Sequence, residues 1–377
     1  MERKAAERYV RELYRFVLHR DAPGEAEVAH WTEHLLANPN PIRLFRAFAT
    51  SRENVARLEK LGRHRTEYPN GHFYSPVVDT EEVRARSDRI FQRGAPAGVD
   101  LDPEGQIALL RRLAPHIGAM PFSDEPDGRH RYYYNNTSFS FGDAAIHWAM
   151  LALRRPQRII EVGGGFTSGL VLDAIEHLGL ATTCTFIDPY PELLHKVVGT
   201  LDPKHEVIAS AVQDVDPSIV EVLGPGDLLF IDSTHVVKTW SDVVFEVTEM
   251  LPRVRPGVLI HFHDCFYPFE YPVRWVVEDN KSWNELYLLQ AFLMYNADFV
   301  VRYFNHYVAT CHAEALRTLV PDAAERILLN PGGGLWMERV DHAAVPGAAQ
   351  PGGPGAATEA PAGLRSLARR IRFGRAG

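Results

Sequence analysis

Cysteine is scarce in this chain: three residues in 377, Cys184, Cys265 and Cys311, too far apart for zinc-type spacing. That argues against a disulfide framework or a thiolate metal site, and it suits a reducing compartment with free thiols. Long apolar runs are missing too. No stretch approaches the ~20 residues that a membrane span needs, and Met1-Glu2-Arg3-Lys4-Ala5 lacks the apolar centre of a signal peptide. A cytoplasmic protein is the expectation. Positive charge is also short: 40 Lys and Arg against 48 Asp and Glu leave a net charge of −8. General nucleic-acid binding needs a basic face and is not expected. What remains, 46% apolar and 23% charged residues, is ordinary for a globular protein. The length allows roughly two domains with a buried core.

Four regions separate along the chain. Residues 1–60 carry helical periodicity (Tyr9, Val10, Leu13, Tyr14, Val17; Val28, Trp31, Leu35; Leu44, Phe45, Phe48), broken at Asp21-Ala22-Pro23-Gly24 and Asn38-Pro39-Asn40-Pro41. A small three-helix unit is expected there, acting as a protein-contact or packing module. Residues 61–150 are mixed and aromatic-rich and read as a connecting or cap region that contributes to a substrate pocket. Residues 151–340 alternate apolar runs with helical stretches, the pattern of a βαβ sheet. Seven strands are expected: Ile159–Val162, Thr183–Ile187, Glu206–Ala209, Asp227–Ile231, Val258–Phe262, Phe299–Tyr303 and Gly334–Arg339. The last two suit an antiparallel hairpin. Residues 341–377 read as a disordered tail, Pro/Gly/Ala-rich from Ala343 to Gly363. It closes in a short basic amphipathic stretch, Leu364–Phe373.

Arg158-Ile159-Ile160-Glu161-Val162-Gly163-Gly164-Gly165-Phe166-Thr167-Ser168-Gly169 is the most informative segment. A buried strand breaks into a glycine turn and a helix-like stretch from Leu170 to Leu178. Such a unit lets a nucleotide-like ligand lie against backbone at a helix N-terminus. The dinucleotide fingerprint requires a third glycine where Ser168 stands, which argues against NAD. Asp188 follows the second strand and is placed to accept hydrogen bonds from a ribose diol. Its plainer reading is a turn or helix-capping Asp. Gln213-Asp214, after the third strand, could flank an adenine or simply form a surface loop.

Polar groups also end the fourth and fifth strands: Asp232-Ser233-Thr234-His235 and His261-Phe262-His263-Asp264. Open α/β sheets bind ligands at the carboxyl ends of their strands. Asp232, His235, His263 and Asp264 are therefore expected around one cleft. Tyr132, Tyr134, Asn136, Phe266, Tyr267, Phe269, Glu270 and Tyr271 are candidates for an acceptor pocket. Core packing is the plainer fate of each aromatic, and of Cys265; a solvated helix face is that of Lys238.

Two resemblances follow from these residues. E-x-G-x-G-x-T/S resembles motif I of class I S-adenosylmethionine (SAM) dependent methyltransferases. D-x-x-H followed by L-P-R-V-R-P-G-V-L-I-H-F-H-D resembles the signature of bacterial members near the sugar, macrolide and catechol O-methyltransferases. The match spans residues 130–340, including Trp283-Asn284-Glu285 and Gly332-Gly333-Gly334-Leu335-Trp336. It departs where Val258 replaces a glycine. The resemblance implies a Rossmann-like, doubly wound seven-stranded sheet with its last strand antiparallel. It implies SAM contacts from Glu161 (toward the methionine amino end), Gly163, Gly165, Thr167, Ser168, Asp188, Asp214 and Asp232. Catalysis falls to His235, His263 and Asp232. Asp232, His263 and Asp264 are the set implied for Mg²⁺, although catechol-type enzymes use an amide where this chain offers His263 and Cys265. The implied acceptor is a sugar, polyketide or other small natural product, and a homodimer is compatible with it. Two alternatives stand beside this reading: a nicotinamide-dependent oxidoreductase, and a non-catalytic assembly protein on a methyltransferase scaffold. The string Y-V-R-E-L-Y-R-F-V-L-H-R-D-A-P with H-W-T-E-H-L and F-A-T-S-R-E resembles a bacterial domain of unknown function related to phycobilisome linkers. It implies a protein partner for residues 1–60.

Overall fold

The computed structural model describes residues 2–20, 22–63 and 68–341. The segments Ala343–Gly363 and Leu364–Phe373, expected as a tail with a basic end, lie outside the described residues. The chain divides into two compact units, Met1–Asp79 and the chain from Thr80 onward.

The first unit holds α1 (Arg3–Phe16), α2 (Glu25–Ala37), α3 (Pro41–Ala49) and α4 (Arg52–Arg63). Its core joins Ala6, Val10, Leu13 and Tyr14 to Val28, Leu35, Leu44 and Phe48. Asn40 caps α3 by accepting from the Arg43 amide, with Pro41 in the first turn. The expected three helices are four. Apolar periodicity ends at Phe48, but the Ser51 hydroxyl accepts from the Asn54 amide and starts another helix from largely charged residues.

The second unit opens with α5 (Thr80–Ala85), α6 (Ser87–Phe91), α7 (Pro103–Ile117) and α8 (Phe141–Arg154). Helix α8 is buried almost all round, as a helix under a sheet must be. There follow β1 (Arg158–Val162), α9 (Phe166–His177), β2 (Thr183–Ile187), α10 (Glu192–Val198), β3 (Glu206–Ile208), β4 (Leu228–Ile231), α11 (Asp242–Phe245) and β5 (Leu259–Phe262). The chain continues through α12 (Val273–Val277), α13 (Glu285–Leu293), β6 (Phe299–Phe304), α14 (Asn305–Cys311), α15 (Ala313–Leu319), α16 (Pro321–Leu329) and β7 (Leu335–Arg339). Strand order is β3-β2-β1-β4-β5-β7-β6. Strand β7 runs antiparallel between β5 and β6, so the fold is the expected Rossmann-like sheet. Strand limits agree with the sequence expectation to within a residue. Helix α9 begins four residues earlier than expected, because the Ser168 hydroxyl accepts the otherwise orphaned Gly165 amide. Lys238 lies exposed in a loop, not on a helix.

The sheet's hydrogen bonds continue one residue past each central strand. The amides of Asp188, Gly163, Asp232 and His263 donate to Ile208, Ile187, Val162 and Ile231, the last residues of the neighbouring strands. Four candidate site residues are thereby pinned in a row along the carboxyl edge.

Candidate active site at the strand ends

Three hollows meet along this edge. One, of about 390 Å³, is lined by Gly163, Asp188, Tyr190, Gln213, Asp232 and Asp242 among others. A smaller one of about 180 Å³ lies over the glycine turn and shares Gly163, Asp188 and Asp232 with the first. The third, about 450 Å³, opens beside His263, Asp264 and Asp143. It shares Ser138 and Phe139 with the glycine-turn hollow.

Glycine is required at the turn. Gly163 has φ +81°, and a Cβ there would fall 1.9 Å from the Asp232 carbonyl oxygen. Asp188 accepts from the Gly164 amide at 2.9 Å and the Tyr190 amide at 2.7 Å, which aims its carboxylate across the first hollow. Each oxygen keeps a further lone pair for a hydroxyl. This edge, with backbone on one side and a carboxylate on the other, fits a nucleoside. Glu161 does not line it. It is buried beneath the turn, where its Oε1 accepts from Ser168, and burial pushes its carboxyl up to about 8. Thr167 lines the turn hollow and Ser168 sits behind it. Asp214 is exposed and lies outside the lining, where its neighbour Gln213 stands.

On the other side, His235 Nε2 lies 3.4 Å from Asp232 and 3.6 Å from Asp264. His263 Nδ1 lies 3.3 Å from Asp232 and 3.7 Å from Asp264, while its Nε2 faces Asp143 at 3.3 Å. Burial alone would lower both imidazoles, but the carboxylates outweigh it. His235 is pushed up to about 10, and His263 well above the usual imidazole range. In turn Asp232, whose burial alone would raise it, is held well below the carboxylate range by these rings.

Asp143 and Glu285 complete the cluster. Asp143, in the first turn of α8, accepts from Ser140 and from the Gly333 amide. Gly333 packs so close that a Cβ would lie 2.8 Å from the Asp264 Cα. Glu285 accepts from His235 Nδ1 at 2.8 Å. Sequence reasoning gave neither residue a role. Both lie on helices, far in sequence from the strand-end motifs they serve.

Two sequence expectations are refined by the geometry. Donor atoms of Asp232, His235 and Asp264 converge within 4.8 Å, and His263 Nδ1, expected beside the two aspartates, lies equally near both. Four carboxylates surround two imidazoles here, and burial raises those of Asp264 and Glu285. That donor set fits a divalent cation. The acceptor-pocket list also shrinks. Tyr134, Asn136 and Phe266 line the 450 Å³ cavity, joined by Trp275 and His306. Tyr132, Phe269 and Tyr271 are core residues, and Tyr267 and Glu270 lie outside the lining. Cys265 is buried, as expected for packing.

The doubly wound sheet, with a glycine turn at β1 and acidic groups at the tips of β2, β4 and β5, defines a class of nucleoside-binding α/β domains. Residues 160–265 match the family described as a methyltransferase domain. An uncharacterized protein of Archaeoglobus fulgidus is 34% identical over 164 residues, covering 41% of this chain and 73% of that protein. The chain belongs to that protein's family and carries a methyltransferase domain. Among solved structures, similarity extends to the O-methyltransferase TomG of Streptomyces achromogenes, at 14% identity and TM-score 0.33, covering 70% of this chain and 96% of TomG. The plantazolicin methyltransferase BpumL gives 12% identity and TM-score 0.34, over 63% and 99%. A Thermobifida fusca structure is matched at 14% identity and TM-score 0.28, over 37% of this chain and 59% of its own length.

Proposed function

We propose that this protein transfers a methyl group from SAM to a hydroxyl of a small acceptor, a sugar, polyketide or related natural product. The single observation that carries the reading is the position of Asp232. It lines both nucleoside-side hollows and faces the two imidazoles beside the acceptor cavity. When bound, SAM supplies a methyl carbon on a cationic sulfur, which becomes a neutral thioether as the acceptor oxygen takes the methyl. Holding donor and acceptor in line is worth several kcal/mol in itself.

The residues divide the work. Asp188 accepts the ribose hydroxyls, and the Gly163–Gly165 backbone lets the methionine portion approach. His263 lines the acceptor cavity and takes the hydroxyl proton, with Asp143 orienting its far nitrogen. Asp232, His235 and Asp264 would hold a divalent cation such as Mg²⁺, which lowers the pKa of an acceptor oxygen. A cation held there would offset the charge of Asp232 and Asp264 that raises His263, and so would favour the neutral imidazole a base requires.

Calorimetry with SAM and S-adenosylhomocysteine tests the reading, followed by incubation with labelled SAM and cell metabolites. Binding of both ligands and a product heavier by one methyl are expected. Binding of NAD(P) in place of SAM would favour an oxidoreductase. SAM binding without any methylated product would favour an assembly protein.

A further inference from the structure

The D-x-x-H loop is an expensive piece of backbone. His235 takes a left-handed conformation, φ +59°, which non-glycine residues seldom adopt. Something must hold it, and residues 283–285 do so from three directions. The amides of Asn284 and Glu285 both donate to the His235 carbonyl. Trp283 lays its ring against the imidazole, with centroids 4.3 Å apart. Asn284 also exchanges hydrogen bonds with the backbone of Val237.

Glu285 adds a feature that packing does not require. Its side chain is 1% exposed, yet its Oε1 has no hydrogen-bond partner and its Oε2 meets only His235 Nδ1. A buried carboxylate so thinly satisfied costs stability, and an apolar residue would pack better. An ionised carboxylate can only accept, so the His235 proton sits on Nδ1. Nε2 faces Asp232 and Asp264, and its lone pair becomes available to a cation that displaces the second ring proton.

We propose that Glu285 is a positioning residue that fixes the tautomer and ring angle of His235, so that Nε2 completes a cation site with Asp232 and Asp264. This rests on the cation assignment made above. Carboxylate–histidine–metal triads of this kind change metal affinity by about 10–100-fold when the outer carboxylate is lost.

The test uses the full chain with Mn²⁺ as the probe and Glu285→Ala and Glu285→Gln as variants. The Gln oxygen can still accept from Nδ1–H. Calorimetry is expected to show a 10–100-fold loss of Mn²⁺ affinity in the Ala variant and partial recovery in Gln. SAM affinity should stay within about twofold of wild type, since Glu285 lines neither nucleoside hollow. In ¹⁵N-histidine spectra recorded with saturating diamagnetic Mg²⁺, the wild-type His235 signal should report an Nδ1–H tautomer that the Ala variant loses. The melting temperature should hold or rise in Gln, the opposite of what a merely structural residue gives. Unchanged Mn²⁺ affinity and an unchanged tautomer in Ala would overturn the proposal. If wild type binds no Mn²⁺, the cation assignment falls and the cation role of Glu285 with it. If wild type binds Mn²⁺ but not SAM, only the methyl-transfer reading fails.

Discussion

Glu161 stands beneath the glycine turn with one oxygen bonded to Ser168 and the other without a partner. Burial raises its carboxyl from 4.5 to about 8, so the folded state holds this proton more tightly than the unfolded chain. The sign follows from linkage. Below about 4.5 both states are protonated and the residue costs nothing; between 4.5 and 8 only the unfolded chain ionises freely, and stability falls as pH rises. Glu161→Gln keeps the acceptor for Ser168 and removes the titration. Its stability is expected to decline less across that window, read as melting temperature against pH. An unaltered slope would mean that Glu161 is ionised in the folded protein. The sequence placed this residue correctly at the end of a strand-and-turn motif. It could not reveal that the side chain points under the turn, because that depends on where α9 packs.

At the scale of elements, the site is made by strand ends in register. Each of Asp188, Gly163, Asp232 and His263 continues the hydrogen bonding of a parallel neighbour, so their spacing is set by the sheet. Gly163 is the tightest joint in that row. Gly163→Ala would push a methyl into the Asp232 carbonyl and strain a left-handed turn. A loss of roughly 1–3 kcal/mol of stability is expected from the backbone strain, together with at least tenfold weaker SAM binding by calorimetry. Full retention of both would show that the turn can move away from β4. This row was legible beforehand: short strand runs of four or five residues, each followed by Gly, Asp or His, leave few other readings. The helical partners were not. Asp143 and Glu285 each open a helix, where an acidic residue is ordinarily a favourable charge at the positive end of the dipole. Only packing of α8 and α13 against the strand tips aims them at His263 and His235.

Across the molecule, the two compact units keep separate apolar cores, one around Val10 and Leu35, the other around the sheet. Every residue of the candidate site lies in the second. A chain starting at Thr80 is therefore expected to unfold cooperatively and to bind SAM within about threefold of the full protein. Loss of cooperative unfolding on truncation would show that the units fold as one. Among the described residues no helix is long and apolar enough to cross a membrane.

By itself the sequence determined the alternation of strands and helices, the glycine turn, and the acidic and imidazole groups at the strand tips. These are local properties: side-chain periodicity, glycine's conformational freedom and the few residues that can end a strand. Tertiary structure alone decided which tips adjoin, which aromatics became core, and that His235 as well as His263 faces the two aspartates. Those outcomes depend on strand order and on helices distant in sequence, and the balance of burial against charge at each carboxylate exists only once they have packed.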